Sequence, residues 1–350
     1  MGAGELRIGM REGPEGYQFA NIRGAAPLDD HALAVLNGVP PEVRVFGPDG
    51  QLERTFGGPG EGPGEFSSAV ALQVLPGDTI VVYDQLGGRF TRFDREGNFI
   101  RTITIENLAS GVIGFLDSRT VITERATVTM VAGEPIEELQ IRTPVLLERV
   151  ALESGTVDSI EVFGGRERYR SVTGQDGLPQ RINIVSVPFT VDGTAVVRGG
   201  RLYLTDGRRP EIRVIDADGD LETVIRFLGD PHPVRDADVD RWIEERLARA
   251  SSAADRRELE AAYRDMTLPA TMPPFDDMIV NERGDIWVRE YDPFPGDLRT
   301  WTIVDSAVRK AGRATLPTSL EILYGDTEIV LAVVKDELDV EYLVRMQLEP

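Results

Sequence analysis

Short stretches in which apolar and polar residues alternate recur along the chain, and each is interrupted by a turn of acidic residues and glycine. Residues 45–56 read VFGPDGQLERTF, residues 92–103 read RFDREGNFIRTI, and residues 214–225 read VIDADGDLETVI. Alternation with a period of two is the pattern of a half-buried β-strand, and an acidic residue followed by glycine favours the positive φ of a hairpin turn. Each stretch therefore predicts an antiparallel β-hairpin, and weaker copies begin at Val150 and Thr302.

The spacing of these hairpins indicates a repeat protein. Successive turn glycines lie roughly 45 to 65 residues apart, near or above the 40–45 residues of a typical β-propeller blade. Several hairpins are preceded by another strand, as in DTIVVYD from Asp78, GRLYLTD from Gly200 and GDIWVRE from Gly284. The pattern predicts an all-β fold, a single six-bladed β-propeller over residues 1–350.

We expect the six blades at about residues 28–66, 67–108, 109–164, 180–229, 270–316 and 317–350. The last blade has only three strands of its own. We therefore predict that the N-terminal strand in LRIGM, residues 6–10, pairs with it as the fourth strand and closes the ring. Such pairing also protects strand edges that would otherwise be bare.

Three long insertions interrupt the repeat, at residues 126–142, 164–179 and 230–269. In a four-stranded blade, the loop from the second to the third strand and the crossing to the next blade lie on one face. We call this the long-loop face, and all three insertions belong to it. Functional residues concentrate on long loops that a rigid scaffold holds together.

The insertion between blades four and five, residues 230–269, is predicted to be helical. Its apolar residues recur at helical spacing; they are Val239, Trp242, Ile243, Leu247 and Ala250, followed by Leu259, Tyr263 and Met266. We expect this apolar stripe to pack onto the propeller. A lid over the central pocket, or a docking surface for a partner, is the alternative.

The segment TFGGPGEGPGEF, residues 55–66, has the glycine density of a phosphate-binding loop. Pro59 and Pro63 lack N–H donors, however, and Glu61 and Glu65 would repel an anion. We interpret the segment as the connection from the outer strand of the first blade to the inner strand of the second.

The stretches RTFGGPGEGPGEF, VLPGDTIVVYD and RFTRFDREGNFIRTI together resemble bacterial six-bladed β-propeller proteins of the NHL or TolB-like kind. PPFDDMIVNERGDIWVREY resembles later blades of the same group. Because such proteins are commonly exported, the resemblance implies a periplasmic or extracellular location, with a cytoplasmic one left open. The chain departs from the pattern in its long third blade and in its fifth blade, which lacks the acidic–glycine turn.

Related six-bladed lactonases and phosphotriesterases hold a central calcium ion through Glu, Asn and Asp side chains. Of the asparagines here, only Asn107 and Asn183 come near predicted inner strands, and neither sits in a motif of those enzymes. Residues 216–220, DADGD, begin like a calcium loop but place glycine fourth instead of sixth, so we interpret them as a hairpin turn. No cofactor is predicted, and calcium remains a candidate without support.

The composition narrows the possible partners. The chain has no cysteine and a formal net charge of −21, which repels nucleic acid and anionic membranes. No apolar run approaches the roughly 18–20 residues that span a bilayer. The opening MGAGELRIGM lacks the regions of a signal peptide, so we expect either a cytosolic protein or a chain whose signal segment has been removed. We also expect a monomer.

Catalytic motifs are missing from the sequence. The two histidines, His31 and His232, are too few for a three-histidine zinc site, and no G-x-S-x-G motif occurs. Arginines on the long-loop face supply candidate binding residues instead, because bidentate contacts suit a carboxylate or sulfate. The candidates are Arg166, Arg168, Tyr169, Arg170, Asp206, Arg208, Arg209, Arg289, Tyr291 and Asp292. The alternative is that these charges form solvated ion pairs of little energetic consequence.

The favoured interpretation is a non-catalytic binding or interaction module of the bacterial cell envelope. It would take a protein, or a small anionic or carbohydrate ligand, on the long-loop face. The alternative is a hydrolase or lyase of the lactonase or esterase kind, with a central pocket in which calcium is a candidate cofactor. Carboxylates converging within metal-ligand distance would favour the enzyme.

Overall fold

Six antiparallel sheets, arranged as blades, make up the described part of the chain. The computed structural model describes residues 6–105, 111–126, 140–175, 178–226 and 231–348. Within these ranges, one sheet has five strands and the others have four. The predicted six-bladed propeller is confirmed.

The first two blades follow the predicted hairpins. β1 (Leu6–Ile8) leads through a 3-10 turn at Glu15–Tyr17 into blade one, which consists of β2 (Ile22–Pro27), β3 (Leu33–Gly38), β4 (Pro41–Phe46) and β5 (Leu52–Gly57). Blade two consists of β6 (Ala69–Leu75), β7 (Thr79–Asp84), β8 (Arg89–Phe93) and β9 (Phe99–Thr104).

The remaining blades carry the helical insertion. Blade three consists of β10 (Gly111–Phe115), β11 (Thr120–Ala126), β12 (Gln140–Ala151), β13 (Val157–Gln175) and β14 (Leu178–Ser186). Blade four consists of β15 (Thr194–Arg198), β16 (Arg201–Thr205), β17 (Ile212–Ile215) and β18 (Leu221–Ile225), followed by α1 (Asp236–Ala248) and α2 (Ala253–Asp265). Blade five consists of β19 (Phe275–Val280), β20 (Ile286–Glu290), β21 (Leu298–Val304) and β22 (Lys310–Pro317), and blade six of β23 (Glu321–Gly325), β24 (Ile329–Lys335) and β25 (Glu341–Gln347) with β1.

The apolar core is divided among the interfaces between neighbouring blades. The inner strand β2 contacts β6 and β23, and β15 contacts β10 and β19. Between blades two and three, the side chain of Gln73 accepts a hydrogen bond from the Phe115 N–H at 3.0 Å and donates to the Phe115 carbonyl at 3.4 Å. Each blade therefore depends on the next for its burial.

The N-terminal strand closes the ring, as predicted. β1 pairs antiparallel with β25, so that Leu6 lies opposite Arg345 and Ile8 opposite Leu343. Ile8 is 2% exposed and belongs to the core between the last blade and the first. Leu6–Ile8, although weakly patterned, thus complete a sheet more than 300 residues away along the chain.

A hydrogen bond reinforces this closure from the neighbouring blade. The Ile22 N–H, at the start of blade one, donates to Glu341 Oε2 at 2.6 Å. Glu341 also pairs with Lys335 at 3.1 Å on the neighbouring strand. Blade one is therefore bonded to blade six both through its core and through this carboxylate.

Blade three differs from the prediction. The residues expected to cross to blade four, 164–179, instead continue β13 and turn into β14, a fifth strand of the same sheet. Blade four consequently begins at Thr194 rather than at residue 180. The run RERYRSVTGQDGLPQRINIVSV carries the signal, since an Asp-Gly pair, which is typical of hairpin turns, stands between two stretches of strand-like residues. Residues 127–139 of the insertion predicted at 126–142 lie outside the described residues.

The glycine-rich segment 55–66 connects blade one to blade two, as predicted, and its carbonyl groups surround one arginine. Arg89 donates to the carbonyl oxygens of Gly60 at 3.0 Å, Glu61 at 2.9 Å and Glu65 at 3.0 Å. The loop therefore uses its carbonyl oxygens to bind a guanidinium group of the protein itself. A phosphate-binding loop does the opposite, because it donates backbone N–H groups to an anion.

Asp84 anchors the same region. Its fully buried carboxylate accepts hydrogen bonds from the N–H groups of Ser67 at 2.7 Å and Ser68 at 2.8 Å, and it pairs with Arg89 at 2.9 Å. Burial disfavours the charged form, but these hydrogen bonds outweigh it and hold the pKa of Asp84 below its ordinary value of 3.8. The charged carboxylate thus stabilises the folded state.

The helices of the insertion are both 13 residues long. In the described ranges, neither they nor any other helix combines the length and apolar character needed to cross a membrane.

We expect Ile8→Ala to lower the free energy of unfolding by about 2–5 kcal/mol, because it leaves a cavity at the ring closure. Urea denaturation measures the change. The control Val308→Ala alters a side chain that is 45% exposed and should shift stability by about 0.5 kcal/mol or less. Equal effects of the two substitutions would contradict a stabilising role for the closure.

We expect Asp84→Asn to lower the free energy of unfolding by about 1–3 kcal/mol at neutral pH. Because the folded pKa of Asp84 is depressed, its stabilisation is present above pH 3.8 and is lost as the pH falls through the folded value. The difference between wild type and variant in urea denaturation should therefore shrink in acid. Asp158→Asn, at a carboxylate that is 58% exposed, is the control. A difference that stays constant into strong acid would be the contrary result.

Candidate functional site

The long-loop face has a core of its own, built by the fifth strand and the helices. Tyr169 of β13 and Val185 of β14 pack with Leu247 of α1, Tyr263 of α2 and Met266. The predicted apolar stripe of the insertion is thus buried, and its partner is the extended hairpin of blade three. We call β13, β14, α1 and α2 together the loop-face platform.

Two further contacts tie the platform to the blades. The Gln140 side chain donates to the Thr267 carbonyl at 2.8 Å and accepts from the Thr267 N–H at 2.9 Å. On the other side, the guanidinium of Arg241 in α1 stacks 3.9 Å from the ring of Phe294, in the loop after β20. The platform is therefore attached to both blade three and blade five.

Tyr169, one of the predicted ligand contacts, is buried in the platform core. Its side chain is 5% exposed, and burial raises the pKa of its phenol. The neighbouring Arg168 and Arg170 lie on the same strand, where they pair in register with Ser186 and Ile184. Alternation along β13 points Tyr169 into the platform core and the two arginines to the opposite side.

Most of the other predicted arginines already have a carboxylate partner. Arg166 lies 3.2 Å from Asp192, and Arg208 lies 2.6 Å from Glu167. Arg209, which is 72% exposed, approaches Glu211 at 3.6 Å. Exposed pairs of this kind contribute little to stability, and their charges are already balanced.

The predicted residues of blade five form a compact group beside Arg166. Arg289 pairs with Asp276 at 2.6 Å and with Asp277 at 3.2 Å. Burial, together with the charge of Asp276, raises the pKa of Tyr291 to about 12, so Tyr291 is a neutral hydrogen-bonding group at physiological pH. Tyr291 also interacts electrostatically with Arg166, so residues of blades three and five lie near each other here.

Asp206 and Asp292 each accept hydrogen bonds from backbone N–H groups of their own loops. Asp206 Oδ1 accepts from the backbone N–H groups of Arg208 at 2.8 Å and Arg209 at 3.2 Å. Asp292 Oδ1 accepts from the N–H of Phe294 at 2.9 Å. Both are side-chain turns of the kind that asparagine and aspartate favour.

The sequence gave no indication of a role for Arg142, which begins β12 beside the platform. Its Nε donates to the Gly165 carbonyl at 2.6 Å, and its Nη2 donates to the Asp206 carbonyl. Burial, and then repulsion from Arg208, lower the pKa of this guanidinium. Among the described residues, no carboxylate lies within ion-pair distance of Arg142. Since both its partners are distant along the chain, only the folded structure could reveal this environment.

Arg142 lines a cavity of about 280 Å³ that we call the loop-face pocket. Its apolar wall is formed by Phe189, Val191 and Leu268, and hydroxyl groups are supplied by Thr190, Thr267 and Thr271. Glu167 and its partner Arg208 also line it. The pocket therefore combines an arginine without a carboxylate partner, a few hydroxyl groups and an apolar wall.

A larger cavity, of about 890 Å³, opens at the other end of the ring. We call this end the turn face, because the short turns between the first and second strands of all six blades meet there. His31 lies at its rim, whereas His232 lies in the crossing before α1 on the long-loop face. The two histidines therefore cannot act together.

In the part of the chain that the structure describes, no group of three or more His, Asp or Glu side chains is placed to hold a metal ion. Asn183, one of the asparagines considered as a calcium ligand, donates its amide to Glu258 of α2 and so ties the helix to β14. Asn107 lies outside the described residues.

No protein-family model matches the chain, and no curated protein matches its sequence. Among solved structures, it is similar to a Bacteroides fragilis protein thought to be exported, with a TM-score of 0.53, 11% identity, and coverage of 99% of this chain and 95% of that chain. It is also similar to a DUF4221 family member from Bacteroides vulgatus, with a TM-score of 0.52, 10% identity, and coverage of 99% and 96%.

Virginiamycin B lyase from Staphylococcus aureus matches with a TM-score of 0.44, 11% identity, and coverage of 98% of this chain and 99% of that chain. At such identities a likeness concerns the fold alone. The chain is a β-propeller, and its fold is similar to those of the two Bacteroides proteins.

Proposed function

We propose that the protein is a non-catalytic binding module of the bacterial cell envelope and that it holds a small carboxylate-bearing ligand in the loop-face pocket. The observation that carries the proposal is Arg142, a desolvated arginine that lines a pocket and bonds only to carbonyl oxygens. A ligand carboxylate would supply the charged acceptor that this guanidinium lacks.

The size and lining of the pocket favour a ligand the size of one sugar ring. Its volume of about 280 Å³ lies at the lower limit of typical small-molecule sites. The threonine hydroxyls suit sugar hydroxyls, and Phe189 and Val191 offer apolar surface to a ring face. An acidic monosaccharide combines the anionic and carbohydrate characters that the sequence suggested.

Because the protein is strongly negative, its affinity for an anionic ligand must come from contacts inside the loop-face pocket. A net charge of −21 repels an anion at a distance, and Glu167 also lines the pocket. Glu167 is paired with Arg208 at 2.6 Å, however, and Asp206, Glu167 and Asp192 attract the charge of Arg142 only from beyond ion-pair distance, so a ligand carboxylate could still bind this guanidinium directly. Selectivity then comes from hydrogen bonding in a confined space rather than from long-range attraction.

The envelope location is supported by the sequence motifs of NHL or TolB-like propellers and by the similarity to a protein thought to be exported. Export would place the loop-face pocket among extracytoplasmic carbohydrates. Localisation of a tagged full-length protein by cell fractionation tests this part of the proposal independently of ligand binding.

We expect glucuronate to bind and glucose to bind at least about tenfold more weakly, since only glucuronate offers a charged acceptor to Arg142. Isothermal titration calorimetry measures both. Arg142→Gln should weaken glucuronate binding by about tenfold or more, whereas Arg209→Gln, outside the pocket, should leave it unchanged. Urea denaturation of each variant separates a loss of binding from a loss of folding.

Equal binding of glucuronate by the wild type and a folded Arg142→Gln variant would overturn the assignment. The hydrolase or lyase alternative makes a different prediction, because it needs turnover in a central pocket. Hydrolysis of a lactone or an ester, with a calcium-dependent rise in Tm, would favour that alternative over the binding module.

A further inference from the structure

The cavity at the turn face is separate from the loop-face pocket and has a different lining. Its volume is about 890 Å³, and its floor contains apolar side chains, including Val74, Leu75 and Phe115. A ring of six blades leaves some space at its axis whether or not a ligand binds there. The polar groups around the space are more informative.

Arg92 lines this cavity, and one of its hydrogen-bond donors has no acceptor among the described residues. The residue is 6% exposed. Its Nη2 donates to the Ser118 carbonyl across the interface between blades two and three, while its Nε has no hydrogen-bond partner among the described residues. Burial lowers the pKa of this guanidinium, and repulsion from Arg101 adds to that effect. A buried charged donor without an acceptor weakens the folded state unless something else fills the role.

The rim of the cavity is acidic and well ordered. Asp78 accepts from the Asp29 N–H at 3.0 Å and pairs with Arg95 at 3.1 Å. Asp326 accepts from the N–H groups of Glu328 and Ile329, both at 2.7 Å. These contacts fix the turns, so that the rim is formed before any ligand arrives.

Further carboxylates add negative charge to the rim of the cavity. Asp29 and Glu328 are exposed residues that line the cavity. Glu282 lines it too but pairs with Arg198 at 3.5 Å, and Arg283 is the exposed arginine among the lining residues. Low-dielectric walls focus the field of such groups into the space between them. The mouth of the cavity therefore favours a cation. Arg92, in the cavity wall, has an N–H donor that an oxygen atom of a ligand could accept.

We infer that the turn-face cavity is a second ligand site and that it takes a short basic peptide. Cationic side chains would lie against the acidic rim, and a main-chain carbonyl or the terminal carboxylate would accept from Arg92. The apolar floor would cover the aliphatic parts of lysine or arginine side chains. This site is about one propeller depth away from the loop-face pocket and does not rest on the function proposed for it.

The test uses trilysine as the probe, with triglycine and triglutamate as matched peptides, in isothermal titration calorimetry on the full chain. We expect trilysine to bind, triglycine to bind at least about tenfold more weakly, and triglutamate not to bind. Neutralising the rim with Asp29→Asn and Glu328→Gln should weaken trilysine binding and reduce its dependence on salt.

Arg92→Met separates a ligand-directed arginine from a structural one. Replacement of a poorly satisfied buried charge by an apolar side chain is often neutral or stabilising, so we expect Tm to stay the same or rise while trilysine binds about tenfold more weakly or worse. Arg101→Gln, at a side chain that is 42% exposed on the adjacent strand, should leave binding unchanged. Arg142→Gln should leave it unchanged as well.

Three results would overturn the inference, two of them from binding and one from stability. One is a folded Arg92→Met variant that binds trilysine as the wild type does. Another is binding of triglutamate as tightly as trilysine, which would assign the cavity to anions. A large fall in Tm for Arg92→Met would also count against it, because Arg92 would then be a structural clamp between blades two and three.

Discussion

The pairing of β1 with β25 is the interaction on which the rest of the structure depends. Each blade buries its apolar side chains against the next, so a chain of blades leaves two bare ends unless the first meets the last. Three residue pairs, from Leu6 to Ile8 with Arg345 to Leu343, make that connection, and the Ile22–Glu341 hydrogen bond extends it to blade one. A closed ring fixes the positions of all six sets of turns and loops relative to one axis. Both proposed sites are built from groups on different blades, and so both require the closure.

Local sequence signals were sufficient for the repeat. The acidic–glycine turns marked hairpins such as β4–β5 and β8–β9 because turn chemistry and strand alternation act within a few residues of each other. The closing strand was found because the last blade lacked a partner. The fifth strand of blade three was missed although its signal is local: the Asp-Gly pair in the sequence was assigned to a crossing between blades, since a five-stranded blade breaks the repeat. The regular repeat in the sequence predicted the propeller, but the same regularity led the five-stranded third blade to be interpreted as a four-stranded one.

The sites were harder to predict, because their properties come from contacts between blades. Tyr169 was grouped with its arginine neighbours, yet strand alternation sends it into the platform core. Arg142 and Arg92 have no local motif, and their carbonyl partners, at Asp206 for one and Ser118 for the other, come from adjacent blades. Partners from adjacent blades therefore decide whether the charge and the N–H donors of an arginine are matched. A sequence lists the charged residues but does not indicate which of them will remain without a counter-charge.

Arginine supplies all but two of the 38 positive charges of this chain, so its use as a structural element has to be separated from its use in binding. Arg89 and Arg44 are structural: Arg89 bonds to Asp84 and three loop carbonyls, and the 2% exposed Arg44 bonds to Glu42 and to the carbonyls of Gly16 and Gln18. In each case a carboxylate neutralises the charge and carbonyl oxygens take the remaining donors. Arg142 and Arg92 have carbonyl acceptors without the carboxylate, and both line cavities. Because burying a guanidinium is unfavourable unless its charge and donors are matched, the missing acceptor is the physical reason to look for a ligand at these two positions rather than at the more conspicuous arginines of the surface.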